Sequence, residues 1–357
     1  FLQNPVVLSL FTLVQFDREE CFSSSGNRGT CLSVLECSQR GGTSDGTCAA
    51  GYGTCCIFLK ACGSILRENR TLFVNYNYPE PYDGIGTCQI TLQKLSPDIC
   101  QYRLDFDEFL LMGPESENHI CENDQFIIAG SPGSVPIICG MNRGNHMYID
   151  AGSDPQNSMV LSVVTNGESF NRTWKIRISQ IPCSSNYKAD EGCLQYFSSV
   201  SGQITSFNYD PTEGLQLSNQ NYGICIRQDR NFCGVQYTQC PDPENDPIQS
   251  FTLSGNSNTN VPAMVGSTGS SNFCQSDYLI IPMVSNVGRP PSGPSANVDR
   301  ICGGILSADV TLNPTTVRSI VKPFRLWFHT DGVEAPADRG NKGFCLNYVQ
   351  QPCTSGI

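Results

Sequence analysis

Apolar residues in this chain occur in short runs with alternating polar positions, not in long stretches with a helical period. Runs rich in Val, Ile, Phe and Tyr recur between clusters of Gly, Pro, Asn and Ser, for example at 125–128, 159–164 and 324–328. Short strands bounded by turn residues give this pattern, whereas an amphipathic helix repeats its apolar positions about every 3.6 residues. The 33 glycines and 22 prolines fit the many turns of antiparallel sheets. The pattern therefore predicts an all-β chain.

The length and the start of the chain set limits on its organisation. A chain of 357 residues predicts two or three domains. The longest apolar run, at 5–16, contains Ser9, Thr12 and Gln15 and is shorter than the ~20 apolar residues that cross a bilayer. We therefore expect no membrane span. Because the chain starts at Phe1 without a basic stretch, we also expect that a signal peptide has been removed.

Cysteine content and charge narrow the function classes. The 20 cysteines form an even set spread over the whole length, and such a set stays oxidised outside the cytosol. The sequence therefore predicts a secreted, extracellular protein. The 22 Lys and Arg residues against 33 Asp and Glu residues leave a net charge of -11. Nucleic-acid binders concentrate positive charge, so nucleic acid is excluded as a partner.

The first six cysteines lie within 36 residues that hold few large apolar side chains. This block starts at Cys21 and ends at the adjacent pair Cys55 and Cys56. Its stability must come largely from crosslinks. Adjacent cysteines can hardly bond each other, so each of the pair must reach a separate upstream cysteine. Zinc is disfavoured because the block contains neither a C-x-x-C pair nor a histidine.

The rest of the chain reads as two copies of one unit, at 62–183 and 193–353. Each copy has a C-x-x-D motif, an apolar run and then an I-C-G motif: C-E-N-D-Q-F-I-I at 121–128 with I-C-G at 138–140, and C-Q-S-D-Y-L-I-I at 274–281 with I-C-G at 301–303. Chance repetition in this order is improbable. In the second copy a stretch rich in Pro, Gly, Ser and Asn, at 282–300, predicts an inserted surface loop.

Each copy resembles a CUB domain, a jelly-roll-like antiparallel β-sandwich of extracellular proteins. The marks are Cys62-Gly63, Tyr78-Pro79, the C-x-x-D motifs and the Cys-Gly pairs at 139–140 and 302–303. The resemblance implies four disulfides: Cys62–Cys88, Cys121–Cys139, Cys193–Cys225 and Cys274–Cys302. The first block resembles a clip domain of arthropod secreted proteins. That resemblance implies Cys21–Cys55, Cys31–Cys48 and Cys37–Cys56.

The repeat constrains the remaining six cysteines without fixing them. Cys100 and Cys233 hold matching places after the second cysteine of each copy, and Cys183 and Cys353 end the copies. Symmetry then favours Cys100–Cys183 and Cys233–Cys353, which leaves Cys240–Cys345. A shifted set, Cys233–Cys345 with Cys240–Cys353, stays open.

The CUB resemblance also raises the question of calcium. Many CUB domains bind Ca²⁺ with a Glu, the Asp of C-x-x-D and an Asp after the strand F-x-[ST]-D, because this hard cation takes several carboxylate oxygens. The second copy offers Asp277 and Asp331, but no acid lies at 266–272, where the Glu would fall. The first copy offers Asp124, with Glu115 or Glu117 nearby. The alternative is that these aspartates accept hydrogen bonds from their own loops.

Other candidate residues have simpler explanations. The sequons N-R-T at Asn69 and Asn171 predict N-glycans in a secreted chain. Trp174 and Trp327 fall in strand-like runs, so we expect both in the core. The aromatic cluster of Tyr76, Tyr78 and Tyr82 is expected to serve packing more than recognition.

Nothing in the sequence supports catalysis. The run I-C-G-G-I-L-S at 301–307 resembles a protease phrase, but no G-D-S-G-G motif occurs. The histidines His119, His146 and His329 lie in different contexts, whereas a triad needs nucleophile, base and orienting acid together. We therefore predict that the protein is not an enzyme.

The sequence predicts four parts: an extended segment (1–20), a clip-like module (21–58), a first CUB-like domain (59–185) and a second CUB-like domain (186–357). The predicted function is non-catalytic recognition of extracellular proteins or glycans. Two alternatives stay open. One is a regulator of a clip-protease cascade in coagulation or melanisation, and the other is a structural component of extracellular matrix, cuticle or a secretion.

Overall fold

The computed structural model describes residues 16–154, 156–255, 259, 261–268, 272–287, 298–311 and 316–353. Most of the predicted extended segment and parts of 266–272 and 282–300 lie outside these residues. The chain divides into two compact units, one made of 1–59 with 68–72 and the other of 60–67 with 73–357. No helix in the described ranges is long and apolar enough to span a bilayer.

The first unit is a small antiparallel sheet with one short helix. Its strands follow the order β1-β2-β4-β3. The elements are β1 (Glu20–Phe22), β2 (Arg28–Leu32), α1 (Val34–Gln39), β3 (Thr43–Cys48), a 3₁₀ turn (Ala49–Gly51) and β4 (Gly53–Ile57). Helix α1 begins after Ser33, whose side chain accepts a hydrogen bond from the Glu36 N–H and so caps the first turn. Leu32, Cys37, Cys56 and Phe58 form its small buried cluster.

The following strands form two sheets, which we call the first sandwich. The sheet orders are β10-β12-β8-β6 and β11-β9-β13-β7-β5. The strands are β5 (Leu59–Lys60), β6 (Ile65–Leu66), β7 (Thr71–Val74), β8 (Gly86–Leu92), β9 (Ile99–Leu110), β10 (Gln125–Ala129), β11 (His146–Asp150), β12 (Met159–Thr165) and β13 (Thr173–Pro182). The pairs β8–β12, β10–β12, β9–β11 and β9–β13 are antiparallel, whereas β6 and β8 are parallel.

The last strands form the second sandwich. Its sheet orders are β14-β16-β24-β20-β22-β19 and β15-β25-β17-β23-β21, and β18 also pairs with β25. The strands are β14 (Cys193–Phe197), β15 (Ser201–Thr205), β16 (Asn221–Ile226), β17 (Phe232–Gln239), β18 (Phe251–Thr252), β19 (Ala263–Gly266), β20 (Tyr278–Ile280), β21 (Ser285–Asn286), β22 (Arg300–Gly303), β23 (Val317–Ser319), β24 (Phe324–His329) and β25 (Gly343–Pro352).

Alternation along the strands explains the core. In β13, Trp174, Ile176 and Ile178 are buried, while Lys175 and Arg177 between them are partly exposed. Successive side chains of a strand point to opposite faces, so one face of each sheet faces the core. Buried apolar residues of all four sheets belong to one continuous cluster. The prediction of an all-β fold is confirmed.

Polar side chains join the two sandwiches along a hydrogen-bonded seam. The Tyr196 N–H donates to His146 Nε2 at 3.0 Å. Asn208 accepts from the Met141 N–H at 2.9 Å, and its own N–H donates to the Asn142 side chain at 2.8 Å. Directional bonds of this kind fix one packing geometry, which apolar contact alone specifies less well.

Candidate binding and metal sites

All twenty cysteines lie in described residues and are paired, with none free. The structure joins Cys233 to Cys353 and Cys240 to Cys345, rather than the shifted set. The other pairs are Cys21–Cys55, Cys31–Cys48, Cys37–Cys56, Cys62–Cys88, Cys100–Cys183, Cys121–Cys139, Cys193–Cys225 and Cys274–Cys302. Each sandwich is thereby crosslinked from within.

Asp124, the candidate calcium ligand of the first sandwich, is buried against an arginine. Arg172 Nε lies 2.6 Å from Asp124 Oδ2, and both side chains are inaccessible to solvent. The carboxylate also accepts hydrogen bonds from the N–H groups of Met112 and Asn166, at 2.7 and 3.2 Å. The guanidinium therefore supplies the positive charge that this buried carboxylate needs. Asp124 is a structural anchor of its loops, and we propose no calcium there.

Asp277 occupies the matching place in the second sandwich but is electrostatically different. It is 4% exposed and accepts a hydrogen bond from the Asp331 N–H at 3.0 Å. Burial, followed by the nearby charge of Glu334, raises the pKa of Asp277 to about 8. Within the described residues, Asp277 forms no ion pair. Its ionised form is therefore poorly compensated.

The two sandwiches also place their lysine and arginine differently. Lys342 directly precedes β25, as Arg172 directly precedes β13. The Lys342 Nζ donates to the Thr212 carbonyl at 2.9 Å, and its charge faces Asp210 and Asp242. In the second sandwich this cation therefore interacts with another loop, and Asp277 has no positively charged partner among the described residues.

Glu334 is a second unusual carboxylate, located three residues after Asp331. It is 3% exposed, and neither of its oxygens has a hydrogen-bond partner. His119 of the first sandwich lies next to it, with Nδ1 at 3.5 Å from Oε1. The other ring nitrogen of His119 accepts from the Gly340 N–H at 3.4 Å. Burying a carboxylate without hydrogen bonds costs folding free energy.

The described residues nonetheless do not assemble a complete set of metal ligands. Across the described ranges, no three His, Cys, Asp or Glu side chains are placed to bind one metal ion. Residues 269–271, within the segment where the family's Glu falls, lie outside those ranges. In the first sandwich, Glu115 accepts hydrogen bonds from the N–H groups of Glu117 and Asn118 and so closes its own loop.

A pocket opens in the first sandwich beside the Cys62–Cys88 disulfide. Its volume is about 290 Å³, and its walls include Tyr76, Tyr82 and Trp174. Tyr76 is 71% exposed, whereas Trp174 is fully buried. The Tyr82 ring meets Trp174 edge-on, with ring centroids 6.1 Å apart. None of the lining side chains is charged, and three of the eight lining residues are aromatic. Residue type predicts a packing role for these tyrosines, and the sequence carries no signal for the pocket.

The two tryptophans have different environments. Trp174 lies in the core, as predicted. The prediction for Trp327 is wrong: it is 39% exposed on the outer face of β24. Strand alternation gives the reason, because Leu326 and Phe328 point inward on either side of it. Its ring lies over Gly223 of the neighbouring strand, where an added Cβ would lie 3.2 Å from the ring atom Cζ3.

The protease-like phrase at 301–307 belongs to the core of the second sandwich. Cys302 is bonded to Cys274. Ser307 is fully buried, and its hydroxyl donates to the Asp309 carbonyl at 2.9 Å. Among the histidines, His119 and His146 are buried at the seam, while His329 packs on Tyr278. Ser307 is thus not an accessible nucleophile.

Residues 190–351, which span most of the second sandwich, match the family model of the animal CUB domain. No curated protein matches the chain. Similar solved structures include the CUB1-EGF-CUB2 domains of rat MASP-1 (13% identity, TM-score 0.26, covering 80% of this chain and 99% of that one). The same region of human MASP-1/3 is 16% identical, with a TM-score of 0.23, and the match covers 80% of this chain and 100% of that one. The full extracellular region of zebrafish Gpr126/Adgrg6 is 13% identical, with a TM-score of 0.29, and the match covers 83% of this chain and 38% of that one.

The fold is all-β and rich in disulfides, and its second sandwich matches the model of the animal CUB domain. The first sandwich lies outside the matched segment. It carries the same C-x-x-D and I-C-G motifs at 121–124 and 138–140. CUB domains and many disulfides are typical of extracellular, non-catalytic interaction proteins.

Proposed function

We propose that this protein is a secreted, non-catalytic binding protein that recognises extracellular protein or glycan partners through its two sandwiches. The match of 190–351 to the animal CUB domain carries the proposal. Disulfide-crosslinked sheets form a stiff scaffold, and the loops between strands are free to carry recognition. The loop between β7 and β8 exposes Tyr76 and Ile85, at 71% and 67%, and the loop after β24 exposes Val333 at 70%.

The first unit is proposed to be a clip-like module of an arthropod protein. In support, its cysteines join first to fifth, second to fourth and third to sixth. A role in regulating a clip-protease cascade would follow from such a module. N-glycans at Asn69 and Asn171 stay predictions; Asn171 is exposed and Asn69 partly exposed.

Capture of partners from native extracellular fluid tests the proposed function. The glycosylated chain is immobilised, and a reduced and alkylated sample of the same chain is the control. We expect a defined protein or glycoprotein to be retained only by the folded chain. Retention of a clip protease would identify the cascade role. If the folded and the reduced chain retain the same material, the binding function is wrong.

A second proposal concerns calcium in the second sandwich only. Asp277 and Asp331 would provide two of the ligands of the ion. The observation that favours it is the pair of buried Glu334 oxygens without hydrogen-bond partners, close to the uncompensated Asp277. A bound divalent cation would supply the positive charge that Arg172 provides to Asp124 in the first sandwich.

Calorimetric titration of the full chain with CaCl₂ tests the calcium proposal. We expect saturable binding that Asp277→Asn and Asp331→Asn each weaken by tenfold or more, because each removes a charged ligand. Glu80→Gln, which neutralises an exposed carboxylate of the first sandwich, is the matched control and should leave binding unchanged. Absence of heat up to millimolar calcium contradicts the proposal.

A further inference from the structure

The aromatic pocket of the first sandwich selects a neutral occupant. Its volume of about 290 Å³ is close to the lower end of the ~300–1,000 Å³ found for small-molecule sites. Every lining side chain is uncharged. A phosphate, carboxylate or ammonium group entering it would lose hydration without gaining an ionic partner. The pocket therefore suits an uncharged group of roughly one ring.

Its walls are held in place before any ligand arrives. The Tyr82 N–H donates to the Arg172 carbonyl at 2.8 Å, and the Arg172 N–H donates back to the Tyr82 carbonyl at 3.1 Å. Asn75 secures the start of the same loop, since its side chain donates to the Glu80 carbonyl and accepts from the Trp174 N–H. Such preorganisation lowers the ordering cost of binding.

Two features favour a sugar ring over an apolar protein side chain. Tyr76 offers an exposed ring, whose electron-rich face attracts the C–H groups of a pyranose. The Trp174 indole Nε1–H is buried without a hydrogen-bond partner. An unpaired donor on a residue that lines the pocket favours a ligand with an oxygen acceptor. Sugar hydroxyls bring acceptors, whereas a leucine or phenylalanine side chain brings none.

We propose that this pocket binds one neutral sugar ring of a glycan. This inference rests on the proposed recognition function and gives it a site and a ligand class. Tyr76 would stack on the ring, Tyr82 and Trp174 would form the wall, and the exposed Thr87 hydroxyl would contact the ring's rim. A sialylated sugar would be disfavoured, because the pocket offers no cation and the chain carries a net charge of -11.

Tryptophan fluorescence of the full chain provides the first test. The chain has two tryptophans, so Trp327→Phe, which changes only the outer face of β24, leaves Trp174 as the sole reporter. We expect neutral monosaccharides and neutral glycans to change its emission with saturation, and sialylated glycans to bind more weakly. No change with any neutral saccharide up to tens of millimolar overturns the proposal.

Matched tyrosine variants in that background locate the site. Tyr76→Ala is expected to raise the Kd for the best neutral saccharide about tenfold, because it removes the stacking ring. Tyr187→Ala removes a tyrosine of similar exposure, 68%, and should leave the Kd unchanged. Equal affinities of the two variants would overturn the assignment to this pocket. Because Tyr76 is exposed, the chain is expected to fold without its ring.

Partner capture separates this inference from the proposed function. If Tyr76→Ala still retains a native partner while no variant binds a saccharide, the binding function stands and the sugar site is wrong. If Tyr76→Ala loses a protein partner that binds equally well after enzymatic removal of its glycans, the pocket recognises a protein side chain. That result also overturns the sugar proposal.

Discussion

Replacement of Arg172 by leucine is expected to destabilise the protein by about 3–5 kcal/mol, the usual cost of leaving one partner of a buried ion pair alone. Asp124 would lie in a position without solvent access and without the guanidinium, whose Nε is now 2.6 Å away. It would retain only the backbone N–H groups of Met112 and Asn166. Urea unfolding with intact disulfides measures the loss as a lower midpoint.

Two further variants identify the cause of that loss. Combining Arg172→Leu with Asp124→Asn removes both charges, so the double variant should be more stable than Arg172→Leu alone. Arg227→Leu breaks a partly exposed pair with Asp229, and such pairs contribute less than about 1 kcal/mol. The anchor role of Asp124 is wrong if Arg172→Leu and Arg227→Leu have equal effects, or if the double variant is the least stable of the three.

Acidification is expected to weaken the seam through His146. Burial, followed by the positive charge of Arg103, lowers the pKa of His146 from 6.5 to about 4. In the folded state His146 therefore stays neutral down to about pH 4, whereas in the unfolded chain it binds a proton below about pH 6.5. Stability that depends on His146 is present above pH 6.5 and falls by about 3 kcal/mol as the pH drops to 4. Protonation of Nε2 would also remove the acceptor for the Tyr196 N–H.

A difference between variants isolates this histidine from other titrating groups. His146→Gln keeps an acceptor for the Tyr196 N–H and has no charge to gain. Asp277 acts in the opposite direction, because its raised pKa makes the fold more stable as the pH falls through 8. We therefore expect the stability of His146→Gln relative to the unchanged protein to rise by about 3 kcal/mol from pH 7.5 to 4. Parallel pH profiles of the two proteins would contradict the prediction.

Local pattern alone predicts much of this fold. The apolar runs at 125–128, 159–164 and 324–328 lie in strands β10, β12 and β24, because alternation and turn residues act over a few positions. The same alternation also contained the answer for Trp327: in F-R-L-W-F-H, the inward positions belong to Phe324, Leu326 and Phe328.

The candidate sites were harder to predict because they depend on distant residues. Asp124 and Arg172 are 48 positions apart, and nothing in the motif C-x-x-D indicates that an arginine before β13 reaches it. Glu334 and His119 meet only because the two sandwiches pack together. The pocket depends on how the loop after β7 folds over Trp174, whereas residue type alone predicts a packing role for Tyr76 and Tyr82.

The seam has a consequence for any ligand that touches both sandwiches. Hydrogen bonds such as those between Asn208 and Met141 and between Tyr196 and His146 hold the binding surfaces of the two sandwiches at a set spacing. A ligand that binds one surface then meets the other at a high effective concentration, without the entropy loss of ordering a flexible linker. Two weak contacts can therefore add up to one strong one. Discrimination would follow from the spacing of two features on the partner as much as from their chemistry.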